Sequence, residues 1–195
     1  MGESRTVYQP IQSAVMRIIS GKFKGRRFSP PKNLKARPTT DIAKEGLFNI
    51  LNNIIDFEEI NILDMFAGTG SISFEFASRG CSNVTSLEIN SINYAFMQKI
   101  IKELEIADVI HPFKYDSFKF IENTKTTFDL IFADPPYDHK ELENIPGLIF
   151  EKELLNPDGL LILEHPKDKD FKNHPFFLEN RKYGHVNFSF FRKSV

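Results

Sequence analysis

The chain has one cysteine, no tryptophan and no long apolar run. A lone Cys81 excludes an intramolecular disulfide and a thiolate zinc cluster, and it suits a reducing cytoplasm. No stretch approaches the roughly 18–20 apolar residues that span a bilayer. The N-terminus lacks the apolar core of a secretory signal. The expectation is therefore a cytoplasmic protein with no membrane partner; a monomer is expected as well. His111, His139, His165, His174 and His185 are scattered without metal-ligand spacing, so no metal is expected, and Glu164-His165 reads as a structural pair. No internal repeat or low-complexity segment is present.

What is there suits one domain. The 195 residues are 41% hydrophobic and 26% charged, enough to bury a real core. The net charge of -1 conceals an asymmetry. From Met16 to Arg37 lie eight basic residues (Arg17, Lys22, Lys24, Arg26, Arg27, Lys32, Lys35, Arg37) and no acid; residues 38–195 hold 16 bases and 25 acids. The run reads either as a solvated basic tail or as a phosphate-binding arm on an acidic body.

Residues 1–15 show no periodicity and read as a leader or upstream extension. Segments 17–20 and 26–29 flank Gly21-Lys-Phe-Lys-Gly25 and suggest a basic hairpin, ended by Pro30-Pro31. Thr39, Thr40 and Asp41 offer N-caps for a helix over about 41–55. From Ile60, strands and helices alternate. Strands are expected at 61–65, 83–87, 109–113, 128–133 and 159–163. Helices are expected at 71–78, 91–104, 117–123 and around 139–153, and two last strands at about 176–192. Repeated βα units predict a mostly parallel sheet covered by helices on both faces, with the ligand beyond the strands' carboxyl ends.

The suspicious residues fall at those ends. Asp64-Met-Phe-Ala-Gly68-Thr-Gly70 is a strand-to-helix glycine loop. Phe74 stands where a dinucleotide fingerprint has its third glycine, and no Gly-Lys-Ser/Thr follows, which disfavours dinucleotide and triphosphate cradles. Glu88 ends the next strand, where a carboxylate can accept from both ribose hydroxyls or simply be a surface charge. Asp116 ends the third, as a reader of an adenine edge, as a helix N-cap, or as both.

Asp134-Pro135-Pro136-Tyr137 follows the fourth strand. Two prolines stiffen the turn and remove two N–H donors. The Asp134 side chain and Pro135 carbonyl then form an acceptor pair suited to an NH2 group. Such a pair favours a pyramidal, nucleophilic nitrogen and faces the positive charge that develops when it takes a methyl group from a sulfonium. Tyr137 offers a ring for a base to stack on. A base inside a duplex cannot reach such a turn, so it must be flipped out or unpaired.

Together, Arg17-Ile-Ile-Ser-Gly21, Gly25-Arg26, Arg37-Pro-Thr-Thr-Asp41, Glu45-Gly-Leu-Phe-Asn49, the glycine loop, Glu75, Ser78-Arg-Gly80, Glu88 and Asp134-Pro-Pro-Tyr137 resemble the RsmD-type 16S rRNA guanine-N2 methyltransferases. The likeness runs from about Met16 to the end and is weakest after about 165. It implies a class I, Rossmann-like α/β methyltransferase with a seven-stranded sheet and S-adenosylmethionine as donor. Its partner would be 16S rRNA in an assembled or assembling small subunit.

By position, Asp64, Phe66, Gly68, Gly70, Glu88, Asp116 and Ser117 would hold the cofactor, and Asp134, Pro135 and Tyr137 would form the catalytic turn. Arg17, Lys22, Lys24, Arg26 and Arg27 would face RNA, and Arg37, Thr39 and Thr40, also counted with the RNA-binding residues, would lie near the target base or the cofactor's methionine end. Residues 16–58 would be an RNA-binding appendage of hairpin and helix, and 59–195 the methyltransferase domain. Ser71-Ile-Ser73 and Phe76 depart from the family pattern, which bears on helix packing. The competing readings are a DNA adenine-N6 or cytosine-N4 methyltransferase, a protein glutamine methyltransferase, and a non-catalytic RNA-binding assembly factor. Only the rRNA enzyme uses both the turn and the basic arm within so short an N-terminal region.

Overall fold

A computed structural model describes residues 15–31 and 40–193. It opens with a short antiparallel hairpin, β1 (Met16–Arg17) with β2 (Arg27–Phe28), extended by the Ile18 amide donating to the Arg26 carbonyl at 3.0 Å. The ladder is shorter than the expected 17–20 and 26–29. Helix α1 (Asp41–Leu51) follows, N-capped by the Thr40 hydroxyl. It stops four residues short of the expected end. Asn52 and Asn53 follow it, and the Asn53 side-chain amide donates back to the Asn49 carbonyl at 2.8 Å. Such side chains compete with the helix for its own backbone.

The repeated units are β3 (Asn61–Asp64), α2 (Ser71–Ser78), β4 (Asn83–Leu87), α3 (Ser91–Leu104), β5 (Ile110–Phe113), α4 (Ser117–Asn123), β6 (Phe128–Ala133), α5 (Ile145–Glu151) and β7 (Leu155–His165). β8 (Phe177–Tyr183) and β9 (Val186–Phe191) complete a seven-stranded sheet of order β5-β4-β3-β6-β7-β9-β8. β9 runs antiparallel to both of its neighbours; all other pairs are parallel. Two segments differ from expectation. The stretch around 139–153 is a 3-10 turn, Leu142–Asn144, and then a helix with Pro146 in its first turn. β7 starts at Leu155, because its pairing with β6 continues back through Asn156-Pro-Asp-Gly159, with Asp158 at φ 61 and the register against β6 shifted.

Strand residues alternate between two cores, as a sheet covered on both faces requires. Ile62, Leu130, Phe132, Ile162 and Phe188 pack with Leu47 and Phe48 of α1, Phe74 and Phe76 of α2, and Met97 of α3. Leu63, Ile131, Ala133, Leu161 and Leu163 pack with Ile121 of α4 and with Ile145 and Ile149 of α5. This is an α/β fold with a mostly parallel sheet. From β3 the chain winds outward through β4 to β5, then returns to the other side of β3 for β6 and β7. The winding reverses between β3 and β6, and in such sheets that reversal opens a crevice beyond the carboxyl ends.

The hairpin shares the first core: Met16, Ile18 and Phe28 are buried in it. Its turn lies on the end of α2, where the Lys22 amide donates to the Ser78 carbonyl at 2.6 Å. A Cβ on Gly21 would stand 1.8 Å from that carbonyl oxygen, so only glycine fits. The fully buried Glu75 carboxylate accepts from the Ile19 and Ser20 amides and from the Arg79 guanidinium. Lys44, 1% exposed, donates to the Arg17 carbonyl and to the Ser71 hydroxyl.

Candidate active site

Asp64 and Asp134 flank the winding reversal, at the carboxyl ends of β3 and β6. Asp64 is 1% exposed. One oxygen accepts from the Ser73 hydroxyl at 2.6 Å, and Ser73 in turn touches Ser86 at 2.8 Å; the other oxygen has no partner. Burial pushes the Asp64 carboxyl up to about 7, against the pull of the Ser73 hydrogen bonds. Ser73, a departure from the family pattern expected to bear on helix packing, holds this carboxylate.

The glycine loop carries the chain over that carboxylate into α2. Gly70 caps the helix at φ 83, and a Cβ there would meet the Phe74 ring at 2.6 Å. The Gly68 amide reaches the Glu88 carboxylate, which also accepts from the Asn90 amide at 2.5 Å and from the Asn93 side chain at 3.3 Å. Burial raises the Glu88 pKa and these donors lower it. Asn93 is buried, and its side-chain carbonyl oxygen has no partner. Asp116 N-caps α4, accepting from the Lys119 amide at 2.9 Å. The Ser117 hydroxyl donates to the Met65 carbonyl, which ties the start of α4 to the end of β3. Phe66, Phe118 and His139 gather beside it, the last two rings stacked at 4.8 Å and 14°.

The second half is the turn after β6. Pro135 is buried and Tyr137 is 43% exposed, so the ring faces solvent while its hydroxyl donates to Glu164 at 3.0 Å. Burial, then Glu164, then Asp64 drive the Asp134 pKa well above the ordinary carboxylate value. Burial and Glu164 raise the tyrosine hydroxyl as well. Glu164, which in the sequence reads with His165 as a structural pair, therefore belongs to this site. His165 turns away, to the Ser189 hydroxyl at 2.8 Å and the Pro166 carbonyl at 2.9 Å.

The edge is thus lined by carboxyls that repel one another, and it holds unpartnered buried oxygens on Asp64 and Asn93. That donor set fits a cationic ligand with hydroxyls and an ammonium. Two cavities of about 460 and 510 Å3 lie elsewhere, one at the start of β7 and one between Pro31 and α3, and neither touches Asp64, Glu88 or Asp134. Among the described residues no group of three or more potential metal ligands exists.

The basic hairpin meets the glycine loop, where the Thr69 hydroxyl lies 3.8 Å from the Met16 sulfur. Arg17 pairs with Asp41 at 2.9 Å and Arg26 with Glu103 at 2.6 Å. Lys22, Lys24 and Arg27 are exposed, with Lys22 over the Phe23 ring. The Thr40 hydroxyl serves α1. Arg37 and Thr39 lie outside the described residues.

Comparison with known proteins places the chain. The family model described as "Conserved hypothetical protein 95" matches residues 16–192. Ribosomal RNA small subunit methyltransferase D of Haemophilus influenzae is 35% identical over 169 residues, covering 85% of this chain and 86% of the relative. Among solved structures, the Escherichia coli protein yhhF, described as a methyltransferase, superposes with a TM-score of 0.80 at 26% identity, covering 92% of this chain and 98% of that one. An RNA methyltransferase from Salinibacter ruber, in complex with S-adenosyl-L-homocysteine, shares the fold with a TM-score of 0.64 at 16% identity, covering 80% of this chain and 93% of that one.

Proposed function

Since the chain belongs to the family described as Conserved hypothetical protein 95, the RsmD-type methyltransferases, we propose that it methylates the exocyclic N2 amine of a guanine in 16S rRNA, with S-adenosylmethionine as donor. The coarser part, methylation of ribosomal RNA, follows from the relatives. One observation supports an exocyclic amine as the acceptor: a stiff Asp134-Pro-Pro-Tyr137 turn beside the Asp64 edge, its ring exposed and its hydroxyl anchored; the choice of guanine N2 in 16S rRNA rests on the family likeness.

When bound, S-adenosylmethionine supplies a methyl group already activated on a sulfonium. Asp64 and Glu88 would hold it, the first by its unpartnered oxygen and the second by a carboxylate that already organises the Gly68 loop. Asp134 and the Pro135 carbonyl accept the two amine hydrogens and orient the nitrogen lone pair for in-line attack. As the nitrogen takes the methyl group, positive charge develops on it. The same two oxygens face that charge; the methyl group's bond to sulfur breaks as its bond to nitrogen forms, S-adenosylhomocysteine would be left, and the surplus proton passes from nitrogen to water. Tyr137 stacks on the base, worth about 1–3 kcal/mol. Lys22, Lys24 and Arg27 supply phosphate contacts that an otherwise acidic body lacks. The enzyme would act in the cytoplasm, on the small subunit or its precursor.

The test is Asp134→Ala. Calorimetry should show cofactor binding kept, while methyl transfer to small-subunit RNA falls by about a hundredfold or more, the loss typical of removing one transition-state partner. Turnover within a few-fold of the unmodified chain would remove Asp134 from the reaction.

A further inference from the structure

We propose that Glu164 is a positioning residue of the methyl-transfer turn, anchoring the Tyr137 ring and setting the charge carried by Asp134. The inference rests on the reading above that Asp134 and Tyr137 receive the amine.

Three observations meet at Glu164. β6 and β7 pair in parallel with Ala133 opposite Leu163, so the next step along both strands brings Asp134 and Glu164 side by side at the carboxyl edge. Glu164 is 4% exposed, yet the hydroxyl of the 43% exposed Tyr137 reaches it at 3.0 Å. Among the described residues, the titratable groups facing Asp134 are Glu164 on β7 and Asp64 on β3, with Tyr137 on its own turn, and of the two carboxyls Glu164 acts on it more strongly.

The anchor answers a geometric problem. A tyrosine ring on an exposed turn visits several rotamers, and ordering it when a base arrives costs free energy. A hydrogen bond to a buried carboxylate fixes the ring beforehand. A phenylalanine could stack equally well but could not be held this way. The charge effect is separate. Carboxyls crowded at a buried edge do not all ionise independently, and the proton they retain belongs to the group rather than to one residue. With Glu164 ionised, Asp134 keeps its proton to a higher pH. An ionised Asp134 is the better partner for a nitrogen becoming positive, so Glu164, after burial and ahead of Asp64, helps to set the pH above which the turn works.

Two substitutions separate the roles, each read from kcat and KM for small-subunit RNA across pH. Glu164→Gln keeps an acceptor for the tyrosine hydroxyl and removes the charge. Its acid limb in kcat should move to lower pH by on the order of one unit, the usual effect of a close like charge. Tyr137→Phe keeps the charge and the ring but releases the anchor. It should raise KM about three- to tenfold, the worth of one hydrogen bond, with the acid limb in place. An unmoved acid limb in Glu164→Gln, or an equal shift in both variants, overturns the proposal.

Should the glutamine variant not fold, Glu164→Asp keeps the charge and draws it back by one methylene. Raised KM with the original acid limb is then expected, and an unchanged KM overturns the anchor. If instead the reaction reading fails, that shows in the unmodified chain, as cofactor binding without methyl transfer to RNA. Failure of the present inference shows only in the variants.

Discussion

Replacing Asp64 by asparagine should remove most of the pH dependence of cofactor binding. The Asp64 carboxyl is buried, one of its oxygens is unpartnered, and its pKa is raised to about 7. If only the ionised form receives a cofactor cation, affinity follows the ionised fraction. With a pKa near 7 that fraction is about a tenth at pH 6, about half at pH 7 and about nine tenths at pH 8. Binding should therefore tighten roughly tenfold from pH 6 to pH 8, or about 1.4 kcal/mol. Asp64→Asn keeps an acceptor for Ser73 and removes the charge. Its affinity should be lower, and its profile should retain the smaller contribution of Glu88 and the cofactor's own titration, the latter subtracted from both profiles.

Isothermal calorimetry in two buffers of different ionisation heat would count the proton released as well. The stability sign agrees. A raised carboxyl pKa means that ionisation opposes folding, so the ligand-free protein loses stability as pH rises toward and through 7. A bound cation offsets that loss, so the cofactor should raise Tm more at pH 8 than at pH 6. Affinity unchanged within twofold across this range, or the same slope in Asp64→Asn, would refute the reasoning.

The basic hairpin and its buried anchor give further tests. Lys22→Ala, Lys24→Ala and Arg27→Ala combined should weaken RNA binding while leaving cofactor affinity unchanged. The slope of log affinity against log salt should become shallower by about 0.7 for each phosphate that is no longer neutralised, and filter binding over a range of salt checks this. Arg26, already paired with Glu103, should add less than Arg27 when replaced. Glu75→Ala strands two backbone amides of the hairpin and the Arg79 guanidinium. It should cost about 3–5 kcal/mol, as breaking a buried pair does. In a domain of this size that lowers Tm by roughly 6–20 °C, measurable by calorimetry.

Much of this architecture is legible in the chain, because local signals and tertiary demands agree. Asp116 caps α4 where its side chain suggests. Phe128 to Ala133 reads as a buried strand from its short apolar run in a chain of alternating strands and helices. The start of β7 is hidden, since Asn156-Pro-Asp-Gly159 has the composition of a turn and is held extended only by pairing with β6. Glu164 illustrates a deeper limit. Its place at a strand end is visible, but its partner Tyr137 lies 27 residues away and only the strand order makes them neighbours. The hold of Glu75 on the hairpin amides, 55 and 56 residues away, is invisible for the same reason. The Asp116 side chain caps α4, as its position at a helix start suggests, while the tie to β3 comes from the neighbouring Ser117.

The most direct measurement is mass spectrometry of nucleosides from small ribosomal subunits that lack this modification, incubated with the protein and S-adenosylmethionine bearing a deuterated methyl group. Deuterated N2-methylguanosine from 16S rRNA is the predicted product, absent with Asp134→Ala. Label in N6-methyladenosine or in a ribosomal-protein amide, with none in guanosine, would contradict the account.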